Sequence, residues 1–373
     1  MELSFTAEQE NFRAELREFL VDWSELEGFL LQGTKWKQVS QLFKAMAGRG
    51  WLSMSWPRQY GGLERGPAWE YLLWDEMARA RAARNPLSAG IVARTLIRHG
   101  SEEQKNHWLP AIRSSELHFA LGYSEPEAGS DLASLRCKAT PRKDGYVIEG
   151  QKCWQSYADD MDCLWLLART GEQDDRARGL SLFIVDLDAP GVSVKPIPIM
   201  DGDSLNEIFL DGVHVTADRR VGPENGAWTI MGEALADERH IQFPPGRLQR
   251  DLAEAIDWFS SRGLADDPLV RHRVAELSLL VEEARVHALR VLALMEKGQP
   301  AGVEAAANKV AHTDACQAIA RALVELGGPE ALLHGSRPEL LYLVSTWESI
   351  GGGSSEIMRG IVARQGLGLG AEK

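Results

Sequence analysis

The strongest constraint on the fold is a change of hydrophobic period near residue 119 and its reversal at residue 226. Before it, apolar residues recur at helical spacing. In TAEQENFRAELREFLVDW, Phe12, Leu16, Phe19 and Leu20 make one face, with Thr6 as N-cap and Glu8 and Gln9 in the first turn. WKQVSQLFKAMAGRG, AWEYLLWDEMARARAA, PLSAGIVARTLIRHG and SEEQKNHWLPAIRSSE read as further helices, several closed by glycine. From residue 119 the runs are short, β-branched and aromatic: YVIEGQKCWQS, CLWLLART, LSLFIVDL, VSVKPIPI and NEIFLDGVHV. Gly, Asp and Pro turns separate them, which predicts a compact antiparallel β unit. Long helical patterns return in AWTIMGEALADERHIQF, RLQRDLAEAIDWFSSRG, LVRHRVAELSLLVEEARVHALRVLALMEKG and EAAANKVAHTDACQAIARALVELGG, the pattern of an antiparallel bundle. The expected fold class is α+β, mainly α. Its domains are an N-terminal helical domain (1–118), a central antiparallel β domain (119–222) and a C-terminal four-helix bundle (223–373).

The bulk composition excludes some partners. A 44% hydrophobic and 25% charged chain of 373 residues is an ordinary soluble protein, with length for two or three units sharing a large core. A formal net charge of −13 argues against nucleic acid or an anionic membrane as the main partner. An anionic ligand would need a local basic cluster or helix N-termini. Cys137, Cys153, Cys163 and Cys316 make no metal-like spacing and read as reduced thiols, and the nine histidines make no metal cluster. The N-terminus lacks the apolar core of a signal peptide, and no apolar run approaches membrane-spanning length. The expectation is a cytoplasmic protein with no membrane insertion.

Three stretches then carry a resemblance: YSEPEAGSDLASL (Tyr123 to Leu135), GYVIEGQKCWQS (Gly145 to Ser156) and GGGSSEIMRGIVAR near the C-terminus. In this order they resemble the acyl-CoA dehydrogenase family, and the likeness runs from LSFTAEQENFRAELREFL to RQGLGL. The resemblance implies an FAD flavoprotein that oxidises the Cα–Cβ bond of an acyl thioester. A carboxylate takes the α-proton, and the β-hydrogen leaves as hydride to flavin N5. It implies that the backbone from Leu121 through Tyr123 to Ser124, with the Ser124 hydroxyl, meets the flavin pyrimidine. Gly129 and Ser130 would approach the pyrophosphate, where a Gly-Ser pair offers N–H groups to an anion without steric obstruction. Trp154 would lie against the isoalloxazine and the Ser156 hydroxyl would reach N5. Ser130 and Arg239 stand as substrate contacts.

By the same resemblance the adenosine half of FAD comes from a neighbouring subunit, through Gly327 and Gly328 and through Ser354 and Glu356. Here the chain departs from the family: Val324 stands where Gln is usual, Glu356 replaces a common Gln, and SSRGLADDPLVRHR lacks the Arg-x-x-Phe-Gly clasp. The departures suggest a heterotetramer with a related subunit, as in the branch acting on steroid side-chain thioesters. A homotetramer or homodimer is the alternative.

The base is also displaced. Alignment on Ile357 and Arg359 puts Gly352 where many family members have a catalytic glutamate. Glycine cannot take a proton, but its amide can hydrogen-bond the thioester oxygen. The isovaleryl-CoA and long-chain branches carry the acid in a Glu-Arg pair after the β domain, and Glu238-Arg239 falls there. Residues 234, 235, 238, 241 and 242 share a helical face that is largely apolar, so Glu238 is expected to have a raised pKa suited to a base. His240 does not share that face, Arg239 supports the helix or the CoA end, and Asp237 and Glu233 read as solvated. A surface glutamate paired with a nearby Arg is the ordinary alternative.

The expected function is α,β-dehydrogenation of an acyl-CoA or other acyl thioester, with an electron-transferring flavoprotein as the family's usual acceptor. A non-catalytic half-site subunit and a flavin monooxygenase or N-oxygenase on the same fold remain alternatives.

Overall fold

The computed structural model describes residues 4–24 and 26–370. By internal contacts the chain divides into two units. One comprises Leu31–Arg65 and Asn85–Glu238, and the other Met1–Leu30, Gly66–Arg84 and Arg239–Lys373.

The first unit is built on a sheet of eight strands: β1 (Phe119–Gly122), β2 (Lys138–Arg142), β3 (Gly145–Ser156), β4 (Cys163–Arg169), β5 (Leu180–Asp186), β6 (Val192–Pro198), β7 (Ser204–Thr216) and β8 (Arg220–Val221). Their order is β6-β7-β3-β2-β4-β5-β8, with β1 on β4. The sheet is not wholly antiparallel as expected, because β1 and β2 both meet β4 in parallel. Parallel pairing needs a crossover rather than a hairpin, and the long connection from β1 to β4 provides one. Strands β4 and β5 are buried almost throughout, which explains their unbroken apolar runs. Ile148, Leu164, Leu166, Phe183, Ile208 and Val213 form the heart of this core.

Four helices belong to this unit: α2 (Trp36–Gly48), α4 (Ala93–His99), α5 (Glu102–Arg113) and α6 (Ala227–Asp237). PLSAGIVARTLIRHG is not one continuous α-helix. Residues Ser88–Val92 form a π-helical turn, with Val92 N–H on Leu87 C=O at 3.0 Å, before α4 begins. Tertiary donors brace the turn: Trp56 Nε1 donates to Ala89 C=O at 3.3 Å and Phe119 N–H to Ser88 Oγ at 2.9 Å.

The second unit holds α1 (Ala7–Leu20), α3 (Pro67–Arg79), α7 (Pro245–Ser261), α8 (Pro268–Met295), α9 (Gly302–Leu326), α10 (Arg337–Glu348) and α11 (Ser355–Ile361). Thr6 caps α1 with Gln9 in a capping box, and Phe12, Leu16 and Leu20 are buried. The centre of this unit is ionic as well as apolar. Asp251 on α7 accepts from Arg81 and Arg247, while Glu348 on α10 accepts from Arg84 at 3.0 Å and Arg247 at 3.2 Å. Buried charges persist only when paired in this way. The four cysteines are free and buried. Among the described residues, no helix is long and apolar enough to cross a membrane.

Candidate functional site

The Ser-Glu-Pro stretch is pinned to β3 by a buried ion pair. Lys152 Nζ, fully buried, donates to Glu125 Oε1 at 2.9 Å and to Tyr123 C=O at 3.0 Å. Glu125 also accepts the N–H groups of Arg136 and Cys137 at 2.7 and 2.8 Å. Ser124 C=O accepts from Cys153 N–H at 3.0 Å and from Gln155 Nε2 at 3.3 Å. The loop from Tyr123 to Ser130 is therefore registered against the strand that carries Trp154. Sequence reasoning gave Glu125 and Lys152 no role, although a lysine at a buried strand position in Gly-x-Lys-x-Trp was the available signal.

Trp154 occupies a β-bulge. Cys153 pairs Glu207 and Gln155 pairs Asn206, so Trp154 is left over, with φ at +73° and 55% of its surface exposed. A non-glycine residue in the left-handed region is strained, and bulges re-aim side chains beside functional sites. Ser156, at the end of β3, is half-buried, as is Ser124. Leu121 lies in β1 beside Trp165. Gly129 and Ser130 are exposed, and a Cβ at Gly129 would meet nothing within 4 Å. The seven expected flavin residues near the sheet thus lie in one unit, with an uncovered indole and open backbone where a flat ring and a pyrophosphate are expected.

Glu238 belongs to the same unit. Ala227, Ile230, Met231 and Ala234 make the buried stripe of α6, and the next position on that stripe is an acid. The helix ends at Asp237, so Glu238 is its C-cap with φ −104° and its N–H on Ala236 C=O. Ile241 and Gln242 therefore lie beyond the helix, and the helical face expected to include them stops short. Pro244 follows, and the chain does not resume a helix until Pro245 opens α7. Glu238 is 8% exposed, and Asn85 Nδ2 donates to its Oε1 at 3.0 Å. Asn85 carried no sequence signal. Burial pushes the Tyr123 phenol up from its ordinary pKa, the nearby Trp165 indole opposes this, and the Glu238 carboxylate adds to it. The acid and the Ser-Glu-Pro loop are within electrostatic reach. Glu233 is not simply solvated: it pairs with His99 at 2.8 Å and Arg98 at 3.6 Å.

The remaining residues belong to the second unit. Gly352 has φ +67°, a Cβ on it would lie 3.5 Å from Gln242 Nε2, and its N–H has no acceptor among the described residues. Arg239 is half-buried; burial holds its guanidinium below the usual range, and Nε has no partner among the described residues. His240 turns to Glu70 at 3.1 Å. Gly327 caps α9, and its carbonyl accepts from Trp258 Nε1 at 3.0 Å; a Cβ there would collide with Leu323 C=O. Gly328 follows with φ +82°. Ser354 caps α11 through Ile357 N–H at 3.3 Å, and Glu356 is exposed.

Comparison with known proteins matches residues 6–116 to the acyl-CoA dehydrogenase N-terminal domain, 120–213 to its middle domain and 225–367 to its C-terminal domain. The acyl-CoA dehydrogenase FadE26 of Mycobacterium tuberculosis is 32% identical over 99% of both chains. Among solved structures, the Tcur3481-Tcur3483 steroid ACAD is 30% identical with a TM-score of 0.91, covering 100% of both chains. The ChsE4-ChsE5 complex from Mycobacterium tuberculosis is 32% identical with a TM-score of 0.89, again over 100% of both.

Proposed function

Because the chain belongs to the acyl-CoA dehydrogenase family, whose cofactor is FAD, we propose that Glu238 is its base and that it dehydrogenates a bulky acyl-CoA. The observation that carries this reading is the buried Glu238 carboxylate, held by Asn85, in a chain whose alternative base position is Gly352.

The residues of the sheet unit fit the cofactor. The exposed Trp154 indole offers a flat apolar face, Ser124 and Ser156 offer hydroxyls, and Gly129–Ser130 offers unobstructed backbone for a pyrophosphate. When bound, FAD supplies the acceptor for the β-hydrogen. Glu238 takes the α-proton, breaking the α C–H bond. Arg239, short of partners, is suited to an anionic part of the thioester.

The Tcur3481-Tcur3483 steroid ACAD and the ChsE4-ChsE5 complex support a heteromer with a related subunit, and the former supports a steroid substrate. Val324, Glu356 and the absent clasp support the same division of labour, since the half-site this chain offers a neighbour is the altered one. An electron-transferring flavoprotein completes the cycle.

The test is Glu238→Gln in the FAD-loaded assembly, followed by anaerobic bleaching of the flavin by acyl-CoA. The expected loss is about 10²–10⁴-fold with FAD content retained. A rate within a few-fold of wild type would remove Glu238 as the base and favour oxygen chemistry on this fold.

A further inference from the structure

We propose that Asn85 and the π turn Ser88–Val92 form a seat that aims the Glu238 carboxylate, making Asn85 a positioning residue for proton abstraction; the proposal rests on Glu238 being the base. Asn85 Nδ2 meets Oε1 at 3.0 Å. Pro86 follows Asn85 and biases its backbone to the extended region, which limits where the amide can point. On the other side of the carboxylate stands Gly90. A Cβ built on Gly90 would lie 1.7 Å from Glu238 Oε1 and 2.7 Å from Asn85 Nδ2. Gly90 does not have a left-handed φ, so its backbone does not require glycine; the carboxylate and the amide do.

The π turn gives this seat its place. π-helical turns are rare and concentrate at functional sites. This one faces Gly90 to the acid and is held from outside by Trp56 on Ala89 and Phe119 on Ser88. Phe119 opens the strand that leads into the flavin loop, so the loop and the seat share a brace. A base displaced by about an ångström loses on the order of 10²-fold in rate, and a carboxylate at a helix end has no helical neighbours downstream to fix it. Asn85 and Gly90 supply that restraint, one by attraction and the other by leaving room.

The experiment compares Asn85→Ala, Asn85→Asp and Gly90→Ala with Glu238→Gln in the FAD-loaded assembly. Its probes are isovaleryl-CoA, octanoyl-CoA and a CoA thioester of a steroid side chain, with crystal structures of each variant alongside. Asn85→Asp is isosteric but replaces the donor with a second carboxylate, so the pair holds a proton between them. It is expected to lower kcat by about 10²-fold, and Asn85→Ala by about tenfold, with KM and FAD content near wild type. Gly90→Ala is expected to show the carboxylate moved off Asn85. Wild-type kcat in Asn85→Asp, or a Glu238 carboxylate seated away from Asn85 in the wild-type crystal structure, would overturn the seat while leaving the base intact. Full activity in Glu238→Gln would overturn both. If no probe is turned over, the position of the carboxylate in the crystals decides.

Discussion

Lys152 holds the Ser-Glu-Pro loop through its bonds to Glu125 and Tyr123 C=O, although the sequence reading gave it no role. It is fully buried, and its partner Glu125 is nearly so, with a carboxylate that accepts from two backbone N–H groups and the ammonium. Taking the cation away would leave a buried carboxylate without its bonded countercharge, with only the more distant Arg169 to offset it. Lys152→Met is therefore expected to cost about 3–5 kcal/mol, read as a lowered urea midpoint, and to weaken FAD retention. An unchanged midpoint would mean that the two backbone donors suffice for Glu125. The motif gave the expected site its place in the sequence, because Gly-x-Lys-x-Trp follows the Ser-Glu-Pro run. What it did not disclose was why the lysine is there, since burial depends on strands far along the chain. The strain at Trp154 was likewise invisible, because a β-bulge is a property of pairing with β7 and not of the tripeptide.

At the scale of elements, helix existence was legible and helix ends were not. Thr6 and Gln9 spelled the start of α1, whereas no glycine or proline at Glu238 or Arg239 marks the stop of α6 at Asp237. The π turn was hidden for a related reason: the groups that stabilise it come from Trp56 and Phe119, remote in sequence. The bundle's ionic layer joins α7, α9 and α10 and makes a pH prediction. Burial holds His312 neutral, pushing its pKa down to about 4, with Glu348 and Asp251 raising it and Arg247 and Arg84 lowering it. A histidine with a folded pKa below its unfolded value of about 6.5 binds fewer protons when folded. Stability is then full above that value and falls as pH drops from about 6.5 toward 4. Glu348, although burial alone would raise it, is held down to about 2 by Arg84 and Arg247; its share is lost from about 4.5 downward. His312→Gln is expected to flatten the upper part of this decline in urea midpoints measured between pH 7 and 4. An unaltered slope would assign the upper decline to other groups.

At the scale of the whole molecule, the residues proposed for the near half of the flavin and the proposed base lie in one unit, while Gly352 and the residues proposed for the adenosine half lie in the other. The chain produced alone is expected to carry sub-stoichiometric FAD in its visible spectrum, rising toward one per site when a related subunit with an Arg-x-x-Phe-Gly segment is co-produced. A yellow homo-oligomer with full FAD would show that Val324 and Glu356 are tolerated. The order of segments has a further consequence, in the timing of synthesis. Every residue of the sheet unit, through Glu238, leaves the ribosome ahead of the last segment of the other unit, Arg239–Lys373. Domains fold as units during synthesis, so Asn85, the flavin loop and Glu238 can assemble while α7 to α11 are still being made. The early helices α1 and α3 cannot finish: they pack with each other, but the bundle that covers α3 arrives last. Once Glu238 has cleared the ribosome the acid and its seat can thus form, while the buried faces of α1 and α3 still wait for the helices that cover α3.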